Sequence, residues 1–255
     1  MSQWDGRDFS RWQDEARLAF AFLTRLPFRA EAQPEPGALA RAAWAFPLAG
    51  ILVGVIGGIV FEIGDRLGLP INAMALLAVA VTVLVTGGLH EDGLADTADG
   101  LGGGDRATAL AIMRDSRTGA FGVLALVFSV GLRVAALAAL PDTRVAVSAL
   151  VAAHTVSRGL LPTLMLWFDP ARSDGLAAEA GRPTPPVATV AALIGLLVAL
   201  VALGIGRGII AMLLAGVAMI ALALLARRRI GGYTGDVLGA TQQIGEIVML
   251  LAATV

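Results

Sequence analysis

Residues 87–106 read GGLHEDGLADTADGLGGGDR and place five carboxylates, Glu91, Asp92, Asp96, Asp99 and Asp105, in a chain that is 57% apolar and only 15% charged. On a helix, at about 100° per residue, Asp92, Asp96 and Asp99 fall within roughly 60° of one another, with Leu94 and Leu101 on the opposite side. Three unpaired carboxylates so close repel one another and raise each other's pKa. A divalent cation relieves that cost, and oxygen-only ligands select Mg2+, Mn2+ or Ca2+ over zinc or copper. Mg2+ is favoured when one or two carboxylates share it with substrate phosphates. The flanking glycines, Gly87, Gly88, Gly93, Gly100 and Gly102 to Gly104, give room for a bulky ligand and for tight turns. The pattern points to a metal–phosphate site with Asp92, Asp96, Asp99 and Glu91 as metal candidates. Asp96 or Asp99 is the candidate to accept a proton. His90 is a metal-shell, proton-shuttle or plain hydrogen-bonding residue, and Asp105 is the expected N-cap of a following helix. The bland alternative is a solvated acidic loop.

Other polar residues stand out against the apolar background. Arg114, Asp115 and Arg117 follow in RDSRTGAFG (114–122), and arginine matches phosphate geometry. They are candidates to bind substrate phosphates, the alternative being topological anchoring of the next span. Arg133 and Arg158 fall inside apolar segments, where charge is costly and faces a bundle interior or water. His154, Ser157 and Arg158 share a helical face that could line a polar cavity, the alternative being an internal ion pair of Arg158 with Glu246. In GGYTGDVLGATQQIGE (231–246), Asp236 precedes the last helix, and Gly239, Gln243 and Glu246 follow on one face. A glycine-flanked helix start suits an anion, and Asp236 suits a metal or a ribose hydroxyl. Capping by Thr234 and Asp236 is the plain alternative.

The elements that must position these residues are membrane helices. Six or seven segments approach the roughly 20 apolar residues that a bilayer core requires: about 43–61, 70–89, 119–140, 145–168, 186–205, 208–226 and a more polar 237–255. Residues 9–28 read as an amphipathic helix on the membrane surface, and 30–38 as a Pro-rich loop. The expected fold is one all-α, polytopic integral membrane bundle over residues 1–255. Its polar motifs lie at 87–117 and 232–246. Arginines concentrate before the first span and in the loops 89–118, 169–185 and 227–236, so the positive-inside rule puts all of these on the cytoplasmic face. The net charge of −1 gives no sign of a nucleic-acid partner. The lack of cysteine and of lysine excludes thiol, disulfide and Schiff-base chemistry.

The acidic stretch, together with FLTRLP (22–27), RDSRTGAFG and GYTGDVLGATQQ (232–243), resembles the adenosylcobinamide-GDP ribazoletransferase family over nearly the whole chain. The family is often apolar where this chain has Glu91. The resemblance implies a Mg2+-dependent enzyme of the cytoplasmic membrane, the inner membrane of the cell, with its site facing the cytoplasm. The 3′-hydroxyl of α-ribazole, or of its 5′-phosphate, attacks the corrinoid-side phosphate of adenosylcobinamide-GDP and GMP leaves. Partners would be these small molecules and membrane lipid, and an oligomer is compatible with the sequence. DTADG (96–100) also echoes the CDP-alcohol phosphotransferases, without their second acidic element. A divalent-cation transporter and a membrane scaffold are the rivals from other classes.

Overall fold

The computed structural model describes residues 6–29 and 35–255, so part of the Pro-rich stretch 30–38 lies outside the described residues. The chain is a polytopic helical membrane protein built from thirteen α-helices among those residues. In order they are α1 (Gly6–Leu23), α2 (Ala38–Ala42), α3 (Phe46–Arg66), α4 (Ile71–Thr86), α5 (Leu89–Leu101), α6 (Arg106–Ile112), α7 (Ala120–Ala138), α8 (Thr143–Gly159), α9 (Leu161–Trp167), α10 (Leu176–Ala180), α11 (Pro185–Leu203), α12 (Ile205–Ile230) and α13 (Gly235–Ala252). A single 3-10 turn at Ala43–Ala45 joins α2 to α3.

Five runs are long and apolar enough to cross a membrane: α2–α3, α7, α8–α9, α11 and α12. The helices α4 and α5 pass that test only together and meet at 92°, as a broken span or a re-entrant pair does. With 16 residues, α4 is about 24 Å long. Gly87 and Gly88, at φ of 66° and 69°, make the bend, a left-handed pair that only glycine adopts cheaply. The acidic helix α5 is thereby turned out of the spanning direction. The expected seventh span, α13, does not reach the apolar composition of the others, because Gln242, Gln243 and Glu246 lie within it. All three are buried against neighbouring helices.

Local signals start the helices where the sequence places them. Asp105 caps α6 by accepting from the Thr108 amide at 2.8 Å, as expected. Asp142 caps α8 through Val145 at 2.9 Å, and Thr234 caps α13 through Val237 at 3.2 Å. Prolines sit in the first turns of α3, α9 and α11, where a missing amide costs nothing. The amphipathic α1 ends at Leu23, short of the expected residue 28. It buries Ala19 and Leu23 against the bundle and leaves Trp12 about half exposed. Glu15 accepts from the Trp44 indole at 2.8 Å and ties α1 down.

The polar loops gather at one end of the bundle. Arg106 donates to the carbonyls of Ile230 at 2.8 Å and Ala171 at 2.6 Å. Arg229 donates to those of Leu101 at 3.0 Å and Gly103 at 3.1 Å. The Gly37 amide reaches the Glu179 carbonyl at 3.3 Å. Residues far apart in sequence are thus held in one neighbourhood, as the arginine pattern predicts.

Small residues set the helix spacing. On α3, Gly54 faces α8 so closely that a Cβ there would stand 2.6 Å from the Val151 Cα, the close approach that small residues permit in membranes. Gly54→Ala forces α3 and α8 apart and is expected to cost about 1–3 kcal/mol. A lower thermal midpoint in detergent reads this out. Gly131→Ala, where a Cβ meets nothing within 4 Å, leaves the midpoint unchanged or raised.

Candidate active site

The two polar motifs meet where α5 crosses α13. Gly93 and Gly239 face each other at this crossing. A Cβ on Gly93 would lie 2.7 Å from the Asp236 carbonyl oxygen and 3.2 Å from the Gly239 Cα. The backbones must touch for the acids of α5 to stand beside Asp236, which is why both positions are glycine.

At this crossing lies a cleft of about 260 Å³. Its polar lining is His90 and Asp92 from α5, Asp236 from the start of α13, and Arg172 from the loop between α9 and α10. Its apolar walls include Phe22, Phe46, Leu161 and Met165. Asp92 is exposed; Asp96, one turn further along α5, is half-buried and is not one of the lining residues. Partial burial, and then the nearby charges of Asp92, Asp236 and Asp99, push the Asp96 carboxyl up to about 6. That mutual repulsion is the one expected for a stripe of acids, with Asp236 as a member that helical spacing alone does not show. Among the described residues no three histidine, aspartate or glutamate side chains form a ready-made metal cluster.

Asp99 has a further task. Its Oδ2 accepts from the Gly119 amide at 2.6 Å and its Oδ1 from the Gly122 amide at 2.9 Å. It therefore caps the start of α7 across twenty residues of chain and lies outside the cleft lining. Glu91 departs from the expected metal set. It is buried, pointing into the bundle, where its Oε1 accepts from Arg133 at 3.1 Å and from Gln243 at 3.1 Å. One residue along a helix from Asp92 is a rotation of about 100°, which takes it off the acid stripe.

The candidates inside the spans form one network around Glu246. Arg133 donates to Glu246 Oε1 at 3.1 Å, and Gln242 donates to Oε2 at 2.7 Å. His154 Nδ1 lies 3.0 Å from Oε2 and Arg158 Nη1 3.8 Å from it. Gln242 also donates to Ser157 at 2.9 Å, and Ser129 donates to Gln243 at 2.9 Å. His154, Arg158, Gln243 and Glu246 do not line the cleft. They pair with one another through His154 Nδ1 and Arg158 Nη1, so the internal ion pair is the outcome here, while His154 Nε2 and Arg158 Nε meet no partner among the described residues. His90 borders both regions: it lines the cleft, is buried, and its Nδ1 meets no partner among the described residues.

Arg114, Asp115 and Arg117 also fall outside the cleft lining. Arg114 pairs with Asp174 at 2.6 Å and Arg117 with Asp115 at 2.6 Å, all on the surface. Their hydrogen bonds hold the Asp115 carboxyl below its ordinary range and raise the Arg117 guanidinium. The cleft residue that sequence reasoning did not single out is Arg172. Its loop, DPARSDG, carries no spacing signal, and only the fold brings it to Asp236.

A bundle of apolar helices with two carboxylates in a cleft at one end defines a polytopic membrane protein with a polar site. The family model described as cobalamin-5-phosphate synthase matches residues 15–254, and the chain belongs to that family. It is 51% identical over 240 residues to the adenosylcobinamide-GDP ribazoletransferase of Bradyrhizobium diazoefficiens, covering 94% of this chain and 92% of that protein. Identity to the protein of the same name from Mesorhizobium japonicum is 47%, covering 95% and 93% of the two chains. For that of Azorhizobium caulinodans it is 45%, covering 96% and 97%. No solved structure matches the chain.

The acid repulsion has a pH signature. A carboxyl raised above its unfolded value of 3.8 costs nothing while it is protonated. The cost enters as pH climbs from there through about 6 and is complete above it. With divalent cations chelated, Asp92→Asn is expected to raise the thermal midpoint over wild type at pH 7.5 and to leave it unchanged near pH 3.5. An equal effect at both pH values contradicts the repulsion.

Proposed function

We propose that this chain is a Mg2+-dependent transferase that joins α-ribazole, or its 5′-phosphate, to the corrinoid phosphate of adenosylcobinamide-GDP and releases GMP. The names of its relatives support the reaction, and the acid-lined cleft at the α5–α13 crossing is the observation that carries the site. The bond formed is between the ribazole 3′-oxygen and the corrinoid-side phosphorus. The bond broken is between that phosphorus and the oxygen bridging to GMP. The hydroxyl proton passes to a carboxylate.

The donors suit magnesium. They are oxygen-only, and burial together with the neighbouring carboxylates holds Asp96 near 6; a cation in their midst would relieve the repulsive part. Magnesium is usually held by one or two carboxylates together with substrate phosphates, so Asp92 and Asp236, which line the cleft, suffice without a third. Bound there, the ion would neutralise charge building on the transferring phosphate. Asp96, poised near neutrality, takes the proton from the attacking hydroxyl. The glycine-flanked start of α13 keeps backbone close to the phosphates.

The cleft is small for a corrinoid nucleotide. It holds the reacting diphosphate, and the apolar walls continue from it toward α1 and α3, where an amphipathic substrate rests. We place this end of the bundle in the cytoplasm, because the arginine-rich loops share it.

Incubating the purified protein in detergent with adenosylcobinamide-GDP and α-ribazole is expected to release GMP with Mg2+ and none with EDTA. Asp92→Asn and Asp96→Asn each lower the rate by about a hundred-fold or more, the scale of a lost charge-stabilising group. Glu91→Gln, which keeps a buried acceptor, lowers it far less. Metal-driven flux into liposomes without GMP release would favour transport instead.

A further inference from the structure

Arg172 supplies the one guanidinium among the described lining residues of the cleft. Its side chain is only 20% exposed, and its Nε lies 3.8 Å from Asp174, a carboxylate already held by Arg114 at 2.6 Å. Its Nη1 is buried and meets no partner among the described residues. Its charge is felt at Asp236. A buried donor left without an acceptor costs free energy, so a buried, unspent N–H in a cleft is a place where a ligand acceptor gains most.

Among the described residues none of the other arginines lines the cleft, and several are committed elsewhere. Arg106 and Arg229 hold backbone carbonyls. Arg114 and Arg117 pair on the surface. Arg133 and Arg158 lie in the buried network around Glu246. A cleft with two carboxylates repels a diphosphate until a cation offsets them, and a guanidinium in the same lining lowers that barrier. Its planar fork matches two phosphate oxygens at once.

We infer that Arg172 binds the diphosphate of the nucleotide-activated substrate directly. The inference rests on the proposed transferase reading. In the resting cleft Arg172 moderates the charge of Asp236, and on binding it turns its free N–H to non-bridging phosphate oxygens. It is thus a residue that discriminates the activated substrate from its acceptor.

The test is steady-state GMP release with each substrate varied in turn, alongside Mg2+–GDP binding measured by calorimetry. Arg172→Ala is expected to raise KM for the activated corrinoid about ten- to hundred-fold, the scale of a charge-assisted hydrogen bond. It leaves KM for α-ribazole at its wild-type value, and the thermal midpoint too when Mg2+ is present to offset the cleft carboxylates. Arg172→Lys recovers part of the loss, since a point charge replaces the fork. Asp174→Ala, which removes the surface carboxylate that Arg172 shares with Arg114, leaves both KM values unchanged. An unchanged KM in Arg172→Ala, or an equal rise in both KM values with a lower midpoint, overturns the inference. If wild type releases no GMP, the transferase reading falls. The inference is then judged on Mg2+–GDP affinity, where equality of wild type and Arg172→Ala overturns it.

Discussion

Everything at the cleft rests on the way Glu246 is neutralised inside the bundle. A carboxylate among apolar helices cannot be solvated by lipid, and charges there must pair or face water. Glu246 of α13 meets Arg133 of α7, with His154 and Arg158 of α8 around its other oxygen, and Arg133 also holds Glu91 of α5. Four helices are locked by one set of charges. Such a network adds little net stability, but removing one partner costs about 3–5 kcal/mol because a buried charge is left over. Its value is registry: with Glu91 fixed inward, Asp92 is turned outward into the cleft.

Two backbone devices convert that registry into a site. The Gly87–Gly88 bend turns α5 across the end of the bundle, and the Gly93–Gly239 contact lets it touch α13. The result is a concentration of carboxylates that the fold tolerates at a cost, seen in the raised Asp96 carboxyl. Stability is given up where charge must be held ready. Asp99 ties this arrangement to α7 by capping it, so a residue of the acidic stripe also serves the scaffold.

Much of this was readable from the chain. Apolar runs of span length fixed the helical membrane class, arginine spacing gathered the loops at one end, and the i, i+4, i+7 acids placed Asp92 and Asp96 on one face. What was not readable depended on pairing across long sequence distances. Glu91 belongs to Arg133 and Gln243, a choice made by helix rotation against two other helices. For Arg158 the sequence left a cavity face and an ion pair with Glu246 both open; that Glu246 holds it, together with His154 and Arg133, depends on how three helices rotate against one another. The Gly87–Gly88 pair read as room for a ligand or a tight turn, and only the fold shows the turn, a 92° bend between two helices. Arg172 sits in a loop without periodicity, so only three-dimensional closure reveals it.

The family to which the chain belongs and the cleft's chemistry converge on phosphoryl transfer at a membrane surface, where positioning and charge neutralisation do most of the catalysis. The central claim is that α5 and α13 contribute carboxylates to one metal site. Mn2+ titration in the presence of GDP, followed by paramagnetic resonance, tests it most directly. The account predicts that Asp92→Asn and Asp236→Asn each abolish tight Mn2+ binding that wild type shows. Wild-type affinity in Asp236→Asn would contradict it.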